Sequence, residues 1–199
     1  MNEAYGLRAL QQENIHLNEE NKQLNEQLSE LRHAIRALTL LDQSLDMIGP
    51  ETEVHDLING ILMAALQAVR AEEGSLLLLD EEANELVFVD VVGTNRDQLV
   101  GMRMPSSEGI VGAAINQKVP LLVSDVREAP QWYPQVDQAI GFETFSVLCV
   151  PVMDRNQVLG AIELVNKRDD SPFDEEDQDI LLLVARLAAL ALSRAEETV

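Results

Sequence analysis

Residues 145–167 read FSVLCVPVMDRNQVLGAIELVNK and carry the strongest fold signal in the chain. Two strand-like runs, 145–153 and 157–165, flank the polar turn at 154–156, which predicts an antiparallel hairpin. A second pair of runs, 75–80 and 85–92, surrounds the polar turn at 81–84 in the same way. Two such hairpins in one domain predict an antiparallel sheet at its centre.

Helical segments surround the two hairpins. Apolar residues at helical spacing predict a helix over 51–72 that ends before Gly74, a short helix over 110–116 and a long helix over 174–197. Asp174 is the predicted N-cap of the long helix, with acidic residues in its first turn. A short strand is predicted at 119–123, and residues 93–105 follow no clear pattern. Helices at both ends of a central antiparallel sheet predict an α+β fold.

Residues 125–144 form a long connection between the predicted short strand and the second hairpin. The segment contains two Pro residues and the single Trp of the chain. A connection of this length without structure of its own is uncommon in a compact domain. We therefore expect it to form either a lid or a short helical cap.

The first 48 residues follow a different pattern, with Leu at every seventh position from 10 to 45. This spacing is typical of a coiled coil, and Asn at two core positions favours a parallel dimer in which each Asn meets its equivalent. We expect a dimeric parallel coiled coil over 1–48, ahead of a domain over 51–195. An amphipathic helix folded back on its own domain is the alternative. The predicted dimer interface comprises Leu10, Asn14, Leu17, Asn21, Leu24, Leu28, Leu31, Ile35 and Leu38.

Composition excludes several classes of protein. The chain carries 14 Lys and Arg against 35 Asp and Glu, a net charge of −21, which disfavours nucleic-acid binding because phosphate backbones are repelled. A single Cys excludes a disulfide framework. Apolar runs are too short to span a bilayer, and the polar N-terminus does not resemble a signal peptide. We expect a cytoplasmic protein with no membrane partner.

Several short motifs, in order, carry a resemblance to a known family. They are GIVG at 109–112, SDV at 124–126, QWY at 131–133, GFET at 141–144, LCVPV at 148–152 and LGAIELVNK at 159–167. Together they resemble the GAF domain, a ligand-sensing regulatory module related to PAS, over residues 51–195. The resemblance implies a GAF-like antiparallel sheet flanked by helices.

Within that family the chain looks like the domains of cyclic-nucleotide phosphodiesterases and adenylyl cyclases. Their signature Asn-Lys…Phe-x-x-x-Asp-Glu is matched by Asn166, Lys167, Phe173 and Asp177, while Gln178 replaces the final Glu. In physical terms, Lys167 and Asp177 are a predicted salt bridge between the last strand and the last helix. We expect these two residues to have this structural role rather than to contact a ligand.

The resemblance also implies a ligand pocket. Its candidate residues are Ser75, Val91, Ile110, Val111, Trp132, Tyr133, Asp137, Ile140, Thr144 and Glu163. The chain differs from the cyclic-nucleotide type of the family at two places. Ile140 stands where a Thr is common, and Val91-Val92 stands where a Phe-Asp pair is expected. We therefore expect the pocket to lack an aromatic shelf. No Arg or Lys is clearly placed to neutralise a phosphate, and Arg127 is the nearest candidate.

These observations lead to a functional expectation. We expect a non-catalytic, dimeric sensor in signal transduction, with a bacterial setting implied by the family, that passes a ligand signal through its dimer helices to a partner or effector. A cyclic nucleotide is one candidate ligand, and another small molecule or an empty structural pocket are the others. Cys149 lies mid-strand, which favours a core role over a catalytic one, and no metal site is expected. The alternative function is a ligand-free scaffold for protein–protein interaction.

Overall fold

A computed structural model describes residues 12–24 and 54–196 of the chain. The two stretches belong to separate compact units. Residues 12–24 form a helix, α1, in which every residue is exposed in the single chain. Its Leu17 and Leu24 expose 49% and 56% of their surface, and Asn18 donates a side-chain hydrogen bond to Asn14 at 3.2 Å.

Four residues of the predicted dimer interface, Asn14, Leu17, Asn21 and Leu24, therefore lie on a helix with an open apolar surface. The other five, Leu10, Leu28, Leu31, Ile35 and Leu38, lie outside the described residues. The coiled coil and the domain boundary at 48–51 remain predictions.

Residues 54–196 contain the predicted helices and hairpins in the predicted order, with the short helix Arg96–Leu99 and the short strand Arg103–Pro105 as additional elements. The elements are α2 Val54–Val69, β1 Ala71–Asp80, β2 Glu85–Val92, α3 Arg96–Leu99, β3 Arg103–Pro105, α4 Gly109–Gln117, β4 Leu121–Val123, a 3-10 turn Val126–Glu128, α5 Gln135–Ile140, β5 Val147–Asp154, β6 Gln157–Lys167 and α6 Glu175–Glu196. The six strands form one sheet in the order β3-β2-β1-β6-β5-β4. Each neighbouring pair is antiparallel, which confirms the predicted α+β class.

The sheet has a separate apolar core on each face. One face packs against α2 and α6 through residues such as Leu62, Leu164 and Leu181. The other packs against α4 and the segment that contains α5. Cys149 is fully buried in this second core, which confirms its predicted core role. Side chains alternate between the faces of a strand, so β6 directs Ile162 and Leu164 to the first core and Ala161 to the second.

Two predicted boundaries are wrong. The first helix ends at Val69, and β1 begins at Ala71 rather than at residue 75, so Gly74 lies inside the strand. Arg70 turns the chain with a φ of 59°, and Ala71 then pairs with Lys167 on β6. Residues 93–105, which follow no clear pattern in the sequence, contain α3 and the edge strand β3.

The start of α6 confirms both predictions made for it. Asp174 accepts the backbone N–H of Asp177, and Asp177 accepts that of Asp174, each at 3.0 Å. This reciprocal arrangement satisfies two donors at the helix start, as a capping box does. Lys167 Nζ lies 2.6 Å from Asp177 Oδ2, so the predicted salt bridge ties β6 to α6.

Gly160 is required where β6 pairs with β1. A Cβ at this position would lie 1.9 Å from the carbonyl oxygen of Leu77, which is main chain at the centre of the sheet. We expect Gly160→Ala to lower the free energy of unfolding by about 3 kcal/mol, measured by urea denaturation. Gly101→Ala is the control, because a Cβ there meets nothing within 4 Å and only its φ of +86° is unfavourable. A loss no larger than that of the control would contradict this prediction.

Candidate ligand site

One cavity lies between the second face of the sheet, α4 and the segment that contains α5. It is lined by Glu73, Gly74, Ser75, Phe88, Val91, Leu99, Met104, Gly109, Ile110, Val111, Trp132, Tyr133, Val136, Asp137, Ile140, Phe142, Thr144, Glu163 and Val165. The space open to the centres of water molecules is about 80 Å³. A water occupies at least about 10–15 Å³ by this measure, so the cavity has room for a few waters or one small molecule.

All ten candidate pocket residues line this cavity. They come from distant parts of the chain: Ser75, Val91, Ile110, Val111, Trp132, Tyr133, Asp137, Ile140, Thr144 and Glu163. The structure thus brings together every residue that the family resemblance placed in the pocket. Their role in binding a ligand remains a prediction.

The expectation that an aromatic shelf is missing is wrong. Phe88 lines the cavity on β2, together with Trp132, Tyr133 and Phe142. The pairing of β1 with β2 shifts register between Leu76 and Leu77, so Phe88 and Val91, three residues apart, both belong to the core on the cavity side. A bulge of this kind breaks strict alternation, and strand periodicity alone does not place it.

The same bulge sends Asp90 to the opposite side of the sheet. Asp90 is 1% exposed and accepts hydrogen bonds from Asn59 Nδ2 at 3.0 Å and from Arg96 at 3.2 Å. It therefore links β2 to α2 and α3. Asp90 does not line the cavity, and sequence reasoning did not single it out.

Three carboxylates line the cavity, and no Lys, Arg or His among the described residues does so. Glu73 accepts hydrogen bonds from the backbone N–H and the hydroxyl of Thr94. Asp137 accepts from the backbone N–H of Thr144 at 2.8 Å and from its hydroxyl at 3.0 Å. The side chain of Glu163 has no hydrogen bond or ion pair among the described residues. Glu73 carries no sequence signal that would have identified it as a pocket residue.

Burial raises the pKa of two of these acids, Glu163 and Asp137. Glu163 keeps some exposed surface, but it lies on a central strand and lines the cavity, so its carboxylate is deep in the protein. Desolvation, with a smaller contribution from the negative charge of Asp137, raises the pKa of Glu163 to about 7. Desolvation also raises the pKa of Asp137, and the hydrogen bonds from Thr144 oppose that shift.

The Asp137–Thr144 contact joins α5 to the chain just before β5, at the wall of the cavity. Asp137 lies in the first turn of α5, and both of its carboxylate oxygens bind Thr144, three residues before the start of β5. The 3-10 turn and α5 show that the segment 125–144 forms a helical cap, one of the two predicted forms. We refer to residues 125–144 as the lid, a name that describes their position over the cavity.

Asn166 holds the far end of the lid. Its side-chain oxygen accepts from the backbone N–H of Phe145 at 2.8 Å, and its amide donates to the carbonyl of Glu143 at 3.0 Å. The next residue, Lys167, binds Asp177 on α6. Phe173 is 5% exposed and packs in the core beneath the helices. The four signature residues thus make contacts within the fold, and none of them lines the cavity.

Arg127, the nearest candidate for a phosphate contact, is not in the cavity. It pairs with Asp125 at 2.6 Å and is 75% exposed. This contact, through side-chain and backbone hydrogen bonds, lowers the pKa of Asp125 to about 2. Asp125 also caps the 3-10 turn by accepting from the backbone N–H of Arg127.

The antiparallel sheet has α2 and α6 on one face and, on the other, a cavity covered by α4 and the lid. The GAF domain family model matches residues 51–193, and the chain belongs to this family. GAF domains are typically regulatory, ligand-binding modules in signalling and are generally non-catalytic.

Sequence relatives include two cyclic phosphodiesterases. A probable 3',5'-cyclic phosphodiesterase of Caenorhabditis elegans is 27% identical over 167 residues, covering 79% of this chain and 23% of the relative. A dual 3',5'-cyclic-AMP and -GMP phosphodiesterase of Takifugu rubripes is 25% identical over 162 residues, covering 72% of this chain and 18% of the relative. The chain therefore spans about a fifth of the length of these relatives.

Solved structures show the same fold. The GAF domain of a phosphoenolpyruvate-protein phosphotransferase from Coxiella burnetii superposes with a TM-score of 0.69 at 23% identity, over 83% of this chain and 99% of that structure. A free methionine-R-sulfoxide reductase from Neisseria meningitidis, solved with its substrate, also superposes with a TM-score of 0.69. The identity is 19%, over 84% of this chain and 93% of that structure. At these identities the likeness concerns the fold alone.

None of the helices in 12–24 and 54–196 is long and apolar enough to span a membrane.

Proposed function

We propose that this chain is a non-catalytic sensor module that binds a small ligand in the cavity and passes the change to a partner or effector in signalling. The observation that carries the proposal is the cavity itself, in which ten predicted pocket residues from separate elements converge under the lid. A cavity with mostly apolar walls and a few polar groups is the usual form of a small-molecule site.

A route for the signal runs through two adjacent residues of β6. Asn166 binds the main chain at the end of the lid, and Lys167 binds Asp177 at the start of α6. A ligand that shifts the lid would therefore act on the end of β6 and on α6. Helix α6 packs against α2, so both helices would move together. A coiled-coil dimer over residues 1–48 would make this movement available to a partner protein.

The names of the two phosphodiesterase relatives support a cyclic nucleotide as one candidate ligand. The free space in the cavity is small, so we propose that the lid opens for a ligand of nucleotide size. Opening breaks the two hydrogen bonds between Asp137 and Thr144. A smaller molecule could occupy the cavity with the lid closed.

The position of Cys149 supports a role without catalysis. It is the single Cys of the chain and is fully buried in the middle of β5. Burial raises its pKa well above the usual value, and a thiol that stays protonated is a poor nucleophile.

Thermal unfolding of the purified chain tests the proposal. We would compare the protein alone with the protein in cyclic AMP, cyclic GMP and a panel of small metabolites. A ligand at 100 times its dissociation constant stabilises the fold by about 2.7 kcal/mol, which gives a clear rise in Tm. No rise with any compound, for a protein that sediments as a dimer, would contradict the sensor proposal and favour the ligand-free scaffold.

A further inference from the structure

The charges in the cavity all have one sign. Glu73, Asp137 and Glu163 line it, and no Lys, Arg or His from the described residues accompanies them. The net charge of the whole chain, which includes these acids, is also negative, at −21. Carboxylates in a cleft with apolar walls focus a negative potential there. An anionic ligand would therefore lie beside like charges, whereas a cationic ligand would be attracted to them.

Glu163 is the one acid of the three without a partner. Thr94 binds Glu73 and Thr144 binds Asp137, whereas no described group donates to Glu163. Buried polar groups are almost always hydrogen-bonded, so an unpartnered carboxylate in a cavity indicates that a donor from outside the chain completes it. Glu163 and Asp137 line the same cavity, so one cation bound there can interact with both carboxylates.

Aromatic side chains form much of the remaining wall. Phe88, Trp132, Tyr133 and Phe142 line the same cavity as the three acids. The face of an aromatic ring attracts a cation, and the ring also packs against an apolar chain. The cavity thus contains both carboxylates that can bind an ammonium group and aromatic rings that can pack against the apolar chain attached to it.

We infer that the ligand of this cavity is a small primary amine with an apolar body, its ammonium group bound by Glu163 and Asp137 and its body packed against the aromatic wall. The inference rests on the proposed sensor function and names the class of ligand for the same site. No bond is made or broken, and recognition is by charge, hydrogen bonds and packing.

A consequence for pH follows from the surroundings of Glu163. The titratable groups that face it are Asp137 on α5, Glu73 on β1, Tyr133 in the lid and Cys149, its partner on β5, and none of them is cationic. With a pKa of about 7, Glu163 is half-protonated at neutral pH in the empty cavity. An ammonium group favours the ionised form, so amine binding releases a proton and affinity rises by about fourfold from pH 6.5 to pH 8.

Isothermal titration calorimetry with ligands that share one body tests the inference. Phenethylamine, phenethyl alcohol and phenylacetate share an apolar body but differ in charge, and isoamylamine, isoamyl alcohol and isovalerate form a smaller set. We expect an amine to bind at least tenfold more tightly than the alcohol and the carboxylate of the same body. Quenching or enhancement of the single Trp, Trp132, locates the binding in the cavity.

Glu163→Gln is the decisive variant. It keeps the shape of the side chain but removes its charge, so we expect at least a tenfold loss of amine affinity and no dependence on pH between 6.5 and 8. Glu82→Gln is the matched control, because the same chemical change is made in the exposed turn between β1 and β2. The control should bind amines as the unchanged chain does.

Two results would overturn the inference, and they differ in what they say about the sensor. Binding of an alcohol, a carboxylate or a cyclic nucleotide in preference to the amines, or amine binding that Glu163→Gln leaves unchanged, would contradict the amine inference and leave the sensor function supported. No binding by the amines, the cyclic nucleotides or the metabolite panel would overturn both.

Discussion

Replacing Glu163 with Gln is expected to stabilise the ligand-free protein, by about 3 kcal/mol at pH 8. The pKa of Glu163 rises from 4.5 to about 7 on folding, a shift of about 2.5 units at 1.36 kcal/mol each. A carboxyl whose folded pKa is raised favours folding when protonated, so its contribution is lost as pH rises from about 4.5 through about 7. Gln cannot ionise and avoids this loss.

Urea denaturation at a series of pH values measures the effect. The stability of Glu163→Gln minus that of the unchanged chain should grow from about 1 kcal/mol at pH 5.5 to about 3 kcal/mol at pH 8. Taking the difference removes the contributions of other acids, such as Asp125, whose pKa is lowered. Glu82→Gln should track the unchanged chain at every pH. A difference that is flat with pH, or that favours the unchanged chain at pH 8, would contradict the prediction.

Replacing Lys167 with Met is expected to destabilise the protein by about 3–5 kcal/mol, because it leaves a buried charge without its partner. Asp177 is 2% exposed, and its carboxylate lies 2.6 Å from Lys167 Nζ. The carboxylate must still accept the backbone N–H of Asp174 at the start of α6. Loss of the Lys therefore weakens both the strand–helix contact and the cap.

A second substitution separates the buried charge from lost packing. Asn at 177 is neutral but keeps an oxygen that can accept the N–H of Asp174, so Lys167→Met combined with Asp177→Asn should recover much of the lost stability. Lys118→Met is the control and should cost about 1 kcal/mol or less, because Lys118 is exposed and its side chain makes one exposed hydrogen bond, to the carbonyl of Asn156 at 2.8 Å. All four proteins would be compared by urea denaturation at pH 7. If the double variant were no more stable than Lys167→Met, the uncompensated charge would not be the cause.

Sequence pattern predicted those features of the fold that depend on local regularity. Both hairpins and the cap at Asp174 follow from spacing and charge, the Lys167–Asp177 bridge follows from the family signature, and the structure has all of them. The bulge in β2 depends instead on how two strands pair. It moved Phe88 into the cavity and Asp90 to the other face, and one-dimensional alternation does not show either change.

The candidate site was predictable to a similar extent. Family resemblance placed ten residues in the pocket, but it did not show that two of them, Asp137 and Thr144, bind each other. The acidity of the cavity also became visible only with the fold. Glu73 and Glu163 are 90 residues apart in sequence and meet because β1 pairs with β6.

Hydrogen–deuterium exchange over the lid tests most directly the claim that this cavity is a sensor site. The protein would be measured alone and saturated with the compound from the calorimetric or thermal panels that stabilises it most. We predict slower exchange at the amides of α5 and of residues 141–144, since a bound ligand restrains the lid that covers it, with a smaller change at the start of α6. A stabilising compound that leaves exchange in the lid unchanged would contradict the account.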